Sequence, residues 1–456
     1  MKLSSSTADE QNGGGLFTSI FTTDELAGLS SDAAWIQAML QAEVALAQAE
    51  ATIGLVPPGA AEDIAAGAAT GRFDPVAVGR AARSSGNPVV PLVEALRASV
   101  AEESAQWVHW GATSQDILDT AAMLVIRRST SVIGRHLATL ADGCAGLTRL
   151  HRHTLTVGRS LLPPALPTTF GLKTAGWLTA VDRARRQLAT SVEGLSLQFG
   201  GAAGTLASLG EEGPAVLSAM AENLSLVEPV LPWHTHRQQV AEVAGALAVV
   251  AGTVNKITYD IALLMQAEVA EVSERGGNGR GGSSTLPQKH NPVSASIVGG
   301  ASRRVTALVT VIYGSLAQEH ERAVGAWHAE WATLTELLRL SGGAAANTAE
   351  CIAGLSVFPE AMASNLAAAG QDLLAERVIM ELTRKAGRAS AVAVVADALA
   401  AAGSGPTFAE SLQAAGATAW ISSAEIDALV DPSTYLGSSD VFIDRALAAH
   451  ESFESG

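Results

Sequence analysis

The sequence predicts an all-α protein of three helical domains, the middle one an elongated helix bundle that self-associates through its own helices. Three observations carry this. Alanine, leucine and valine dominate while aromatics make up 4% of the 456 residues, a balance that favours helix. Val243, Leu247, Val250, Val254, Ile257, Ile261 and Leu264 alternate spacings of four and three without a break, the pattern of a helix packed lengthwise in a bundle. No segment shows the period-two alternation of a half-buried strand. The expected division is a disordered leader over 1–15, an N-terminal helical domain over 16–110, the central bundle over 111–357 and a C-terminal helical domain over 358–456.

Taken in order, Ser30-Ser31-Asp32 reads as a helix cap, followed by Ile36, Leu40, Val44 and Ala47 at helical spacing, and Gly54 with Pro57-Pro58 ends that helix. A short helical region runs to about Val100. The next long helix covers Asp116 to about His151, with Ile133, Leu137, Leu140, Cys144 and Leu147 forming its stripe. Pro163, Pro164 and Pro167 then break the chain before a helix over Lys173–Ser196. After a glycine patch at Gly200, Gly201 and Gly204 comes the longest helix, expected from about Arg237 to Val272 and so roughly 50 Å long. Another helix follows over Ser294–Leu316, and beyond Val357 the helices become short and alanine-rich. The stripes of the middle helices are too broad and too free of charge for a monomer surface, which predicts self-association.

Charge and cysteine content narrow the function. With 29 basic against 45 acidic side chains, the chain has a formal charge of −16 at pH 7 and no basic face for nucleic acid. Two distant cysteines, Cys144 and Cys351, exclude a disulfide framework and a cysteine-based metal site, and point to a reducing cytoplasm. The polar start MKLSSSTADEQNGGG lacks the apolar core of a signal peptide. The apolar stretch around Val243–Gly252 is too short and too alanine-rich to cross a bilayer.

The chemistry concentrates in Gly276–Pro292, GGNGRGGSSTLPQKHNP, directly after the longest helix. Hydroxyls and cations on a glycine-rich loop beside a rigid helix are the makings of an active-site lid. The spacing around Lys289 is not that of a phosphate-binding loop, and a loop that follows a helix is not a dinucleotide fingerprint. A plain linker has no use for the two restrictive prolines of the tail. A second segment, His109-Trp110-Gly111-Ala112-Thr113-Ser114-Gln115-Asp116, places two hydroxyls and an amide at a helix N-terminus, a natural anion site. Thr113 and Ser114 can also serve simply as caps.

Gly282-Ser283-Ser284-Thr285-Leu286-Pro287-Gln288-Lys289-His290-Asn291-Pro292 resembles the Gly-Ser-Ser-x-Met-Pro-x-Lys-x-Asn-Pro signature of the fumarase/aspartase superfamily, with Leu286 in place of methionine. The segment from His109 resembles the same superfamily's first motif. Ser85–Leu92, Leu197–Ala202, Trp233–Arg237, Gln318–Arg322, Trp327–Trp331 and the turn Asp431–Gly437 are similar to its bacterial 3-carboxy-cis,cis-muconate cycloisomerase branch. The resemblance implies a catalytic set of Ser283 as carbon proton donor, Ser284 second and His109 in support. It implies substrate contacts from Thr113, Ser114, Gln115, Arg159, Lys289, Asn291, Arg237 and Arg322. It further implies a small polycarboxylate substrate from aromatic-compound breakdown, no cofactor, no metal, and a cytoplasmic homotetramer with no membrane or nucleic-acid partner. His234, His236, His320 and His328 read as hydrogen-bonding structure, since their spacing is not that of a helical zinc pair.

One segment departs from the superfamily. Gly158–Gly171 matches a Gly-Arg-Thr-His-x-x-His-Ala-x-Pro pattern, but Leu161 and Pro164 occupy the histidine positions. A lyase expelling an amine or alkoxide gains from a second acid there. Lactonisation of a muconate uses a carboxylate nucleophile that is already ionised at pH 7, so a single proton moves, onto carbon. The expected activity is therefore a cycloisomerase; the alternatives are a 3-sulfomuconate cycloisomerase or a lyase of the argininosuccinate or adenylosuccinate type.

Overall fold

The computed structural model describes residues 15–274, 281–282, 286, 289–402 and 405–455. It is built almost wholly of helices. Contacts divide the chain into two units, each assembled from separate stretches: 1–138, 183–256 and 296–348 in the first, 139–182, 257–295 and 349–456 in the second. This division cuts across the consecutive segments 16–110, 111–357 and 358–456, because the longest helices contribute residues to both units.

In the first unit, the helix Asp32–Ile53 starts where Ser31 accepts a hydrogen bond from the Ala34 amide at 3.2 Å, and stops at Gly54, whose φ of 88° few other residues adopt at low cost. Its buried face carries Ile36, Met39, Leu40, Glu43, Leu46, Ala47 and Glu50, so two carboxyl groups sit two turns apart among hydrocarbon. Val44, expected in that stripe, is only half-buried. The helix Gly213–Leu224 packs against it. The first part of Ser114–Leu150, a 37-residue helix, buries Ile117, Leu124 and Ile133. Gln238–Leu264 buries every residue of the predicted stripe from Val243 to Leu264.

That helix ends earlier than expected, at Leu264. No glycine or proline marks the stop. The chain turns through Ala270 at φ 50°, and the Glu271 amide bonds back to the Leu264 carbonyl at 3.0 Å. Gln238–Leu264 and Val293–Gly314 are each long and apolar enough, by length and composition alone, to cross a membrane, which corrects the reading based on Val243–Gly252. The most apolar window of the first is 56% buried and that of the second 33%.

In the second unit, the proline-rich break is an antiparallel hairpin of Leu155–Arg159 with Pro164–Thr169, with an irregularity at Gly158/Arg159. Pro164 and Pro167 sit in an isolated two-stranded pair, where a missing amide is tolerated. The expectation of no strand fails here because five- and six-residue strands rich in proline and threonine carry no clean alternation. Val272–Ser273 pairs with Ser356–Val357. The last helices have their own core around Leu374, Val378, Leu382, Val395, Phe408, Leu412 and Ile426. Within this unit, His450 bridges Asp182 at 3.0 Å and Asp142 at 3.3 Å.

Two stability predictions follow from the first unit. A Cβ on Gly343 would stand 2.0 Å from the Phe21 carbonyl oxygen, so Gly343→Ala forces the backbone at Phe21 away and should cost about 1–3 kcal/mol in denaturant unfolding. Burial first, and the charge of Glu43 second, push the Glu50 carboxyl up to about 9 from an ordinary 4.5. Between those values the unfolded chain releases a proton that the folded chain keeps, so stability falls as pH rises through the window. Glu50→Gln should therefore raise the melting temperature at about pH 8 and leave it nearly unchanged at about pH 4.

Candidate functional site

The first unit brings three of the singled-out segments together around one carboxylate. Asp116, fully buried, lies in the first turn of the helix Ser114–Leu150. Its Oδ1 accepts from His234 Nε2 at 2.6 Å, the Gly200 amide at 3.0 Å and Gln198 Nε2 at 3.2 Å; its Oδ2 accepts from the Gly201 amide at 2.9 Å and the Thr113 amide at 3.0 Å. Five donors on one carboxylate fix the helix mouth, the glycine patch and the 233–237 turn relative to each other. Gly201, at φ 66°, is held so close that a Cβ would meet the Gly111 carbonyl at 3.2 Å.

One turn further along, a second buried group forms. Arg237 donates to Asp119 from Nη1 at 2.6 Å and from Nη2 at 3.0 Å, and to Glu330 from Nη2 at 2.5 Å and from Nε at 3.1 Å. Trp327 Nε1 adds a bond to Asp119 at 2.9 Å, and the guanidinium carbon lies 4.8 Å from the Trp233 ring centroid. Burial alone would lower the pKa of Arg237; the two carboxylates overcome that and hold it charged. Arg237, expected from the sequence to contact substrate, is only 2% exposed and is tied to these two carboxylates. Gln115, expected in the same role, is also enclosed. It is buried, and its amide donates to Asp119 at 3.1 Å and to the His234 carbonyl at 2.8 Å.

The accessible groups of this unit differ in character. His109 adopts φ 63°, a strained value for a non-glycine residue, and its Nδ1 meets Glu43 Oε1 at 2.6 Å. Burial pulls the imidazole pKa down, but the Glu43 charge and hydrogen bond, with Asp116 beyond, raise it above the ordinary 6.5. Nε2 has no hydrogen-bond partner among the described residues. Thr113 and Ser114 are half-buried, and neither hydroxyl is engaged among the described residues. Arg322 donates to the carbonyls of Gly201 at 2.5 Å and Glu321 at 3.3 Å. It makes no ion pair among the described residues. Desolvation lowers its pKa, with Asp116 and Asp119 opposing, and it stays charged at neutral pH. An imidazole, a guanidinium and two hydroxyls at a helix N-terminus can hold carboxylates.

The second unit carries the remaining candidates. Arg159 forms a two-pronged pair with fully buried Glu271, at 2.6 and 3.1 Å, and Asn365 and Thr156 bond the same carboxylate. Arg159 thus anchors the hairpin to the turn after Gln238–Leu264, with 24% of its side chain exposed. Gly282 and His290 form an antiparallel bridge, and the Asn291 amide bonds to the Gly281 carbonyl at 2.9 Å. That closes the neck of the loop. Glu274 accepts from the Ser294 amide at 3.1 Å, at the N-terminus of Val293–Gly314. Lys289 is exposed and Asn291 half-buried. Ser283 and Ser284 lie outside the described residues.

Glu43, Asp119, Glu330 and Glu271 were not singled out from the sequence. Glu43 carried a signal, since helical spacing from Ile36 and Leu40 puts it on the apolar face. The others are ordinary acids until the fold supplies an arginine. Removing Arg237 would leave Asp119 and Glu330 buried against each other. Arg237→Gln should cost about 3–5 kcal/mol, read as a lowered denaturant midpoint.

Comparisons with known proteins agree with this architecture. A lyase family profile matches residues 19–307, and a profile for the adenylosuccinate lyase C-terminus matches residues 373–446. A 3-carboxy-cis,cis-muconate cycloisomerase of Bradyrhizobium diazoefficiens is 43% identical over 92% of this chain and 94% of its own. A nitrosuccinate lyase of Streptomyces davaonensis is 44% identical over 91% of each. The crystal structure of the 3-carboxy-cis,cis-muconate lactonizing enzyme from Pseudomonas putida superposes with a TM-score of 0.91 at 39% identity, covering 97% of this chain and 100% of that one. The chain belongs to the lyase family of the fumarase/aspartase superfamily.

Proposed function

We propose that the protein is a cycloisomerase that lactonises 3-carboxy-cis,cis-muconate. One substrate carboxylate oxygen adds to the diene, so a C–O bond forms and a C=C bond is consumed. The displaced electron pair moves toward carbon next to another carboxylate, and Ser283 delivers the proton there. His109, Thr113, Ser114 and Arg322 of the first unit are carboxylate ligands, and Lys289 and Asn291 of the loop have the same role. Cations and helix-mouth amides stabilise the enediolate charge.

The observation that carries this reading is the tip of the 155–169 hairpin. Leu161 and Pro164 occupy the positions where the superfamily pattern has histidine; Leu161 and its neighbour Leu162 adopt φ 53° and 83° and are 98% and 72% exposed. Hydrocarbon at these positions supplies no second acid. A reaction that moves only one proton, as addition of an ionised carboxylate does, tolerates that loss. The cycloisomerase relatives support the same choice.

The chain works as a cytoplasmic homotetramer in aromatic-compound breakdown under this proposal, with three consecutive domains and each site completed by neighbouring copies. Support comes from Val293–Gly314, where the apolar side chains Val311 and Tyr313 are 40% and 50% exposed in the single chain. Helix packing between copies would cover them. The hairpin tip would be covered in the same way.

A second reading has its own support in the nitrosuccinate lyase relative. Nitrite is the conjugate base of an acid of roughly carboxylic strength, so its departure also needs no strong acid. Mixing micromolar enzyme with 3-carboxy-cis,cis-muconate should abolish the diene absorbance, and Ser283→Ala should lower that rate at least about 100-fold. Unchanged absorbance together with nitrite release from nitrosuccinate would replace the first reading by the second.

A further inference from the structure

We infer that Glu43 is a positioning residue that locks His109 with Nδ1–H turned inward and presents Nε2–H outward as a fixed charged donor for a substrate carboxylate. The inference rests on the proposed carboxylate site and deepens it. Glu43 Oε1 lies 2.6 Å from His109 Nδ1, and the Glu43 side chain is 1% exposed while that of His109 is 16% exposed. One imidazole edge is therefore sealed inside and the other is open.

Three features make the pairing more than a buried contact. Glu43 occupies the apolar face of Asp32–Ile53, where a carboxylate is costly unless it meets a cation or donors. Its other oxygen, Oε2, is buried without a partner among the described residues, so His109 is what holds the charge there. His109 sits in a left-handed conformation that local sequence does not favour. Strain of this kind persists when the surroundings over-determine it.

The charges facing the imidazole come from three helices. Glu43 is on Asp32–Ile53 and Asp116 on Ser114–Leu150, both favouring the proton. Arg97, at the end of Val89–Arg97, opposes it while its own guanidinium bonds the Val108 carbonyl at 3.1 Å. Asp116 already accepts five hydrogen bonds, which leaves Glu43 as the carboxylate in direct contact. A histidine whose pKa is raised stays an imidazolium to higher pH. Its service as a cation is complete at low pH and fades as pH rises through the raised value.

The test replaces Glu43 by Gln and by Asp. The first measurement needs no substrate: the rate of carbethoxylation of His109 by diethyl pyrocarbonate, mapped by peptide mass spectrometry across pH, gives the pKa of the accessible nitrogen. It should fall by about one to two units in Glu43→Gln, with Glu43→Asp in between. The second measurement is the pH profile of kcat/KM for 3-carboxy-cis,cis-muconate, whose alkaline limb should shift to lower pH by the same amount. A parent-like carbethoxylation profile in a folded Glu43→Gln protein would overturn the inference. Should that variant not fold, an unshifted profile in Glu43→Asp would do so. Absence of turnover in every protein, with the carbethoxylation shift intact, would count against the proposed reaction and leave the Glu43–His109 assignment standing.

Discussion

The constraint on which the candidate site depends is the burial of Asp116. A carboxylate with no exposure must find its hydrogen bonds inside the protein, and this one draws them from the Thr113, Gly200 and Gly201 amides and from two side chains. The segments that supply them are far apart in sequence. Each is held at a distance that leaves little slack, as the closeness of Gly201 to the Gly111 carbonyl shows. The helix mouth, whose two hydroxyls are unengaged among the described residues, exists in this form because Asp116 fixes what surrounds it.

Positive charge is scarce in this chain, and the structure sorts it into two kinds. Arg237 and Arg159 are matched by buried carboxylates and act as ties, the first to Asp119 and Glu330, the second to Glu271. Arg322, His109 and Lys289 retain an accessible face. In a low-dielectric setting a tie of the first kind is worth more as specificity of packing than as stability, while breaking it is costly. The second kind remains available for an external anion. Residue type alone does not separate them.

The hairpin tip shows how the same superfamily framework accommodates a change of chemistry. Leu161, in a left-handed conformation, and Pro164 stand where histidines stand in the family pattern. Neither side chain can carry a proton. That exchange is tolerable for a reaction whose nucleophile or leaving group is already a weak base.

Much of the fold was legible from residue order. The four-three stripe from Val243 to Leu264 is buried as its spacing requires, and the Ser31 cap and Gly54 stop bound the helix they announce. These are local signals: side-chain periodicity and backbone preference act within one or two turns. The loop and helix-mouth motifs were legible for the same reason, since glycine, hydroxyl and cation spacing are properties of short segments. The early end of that helix at Leu264, the hairpin at Pro164–Thr169, the pairing of Arg237 with Asp119 and Glu330, and the partnership of Glu43 with His109 were decided by tertiary structure. The two charge pairings join residues 66 to 118 positions apart. No local pattern encodes such a distance, so the carboxylates that tie Arg237 could not be read from its own segment.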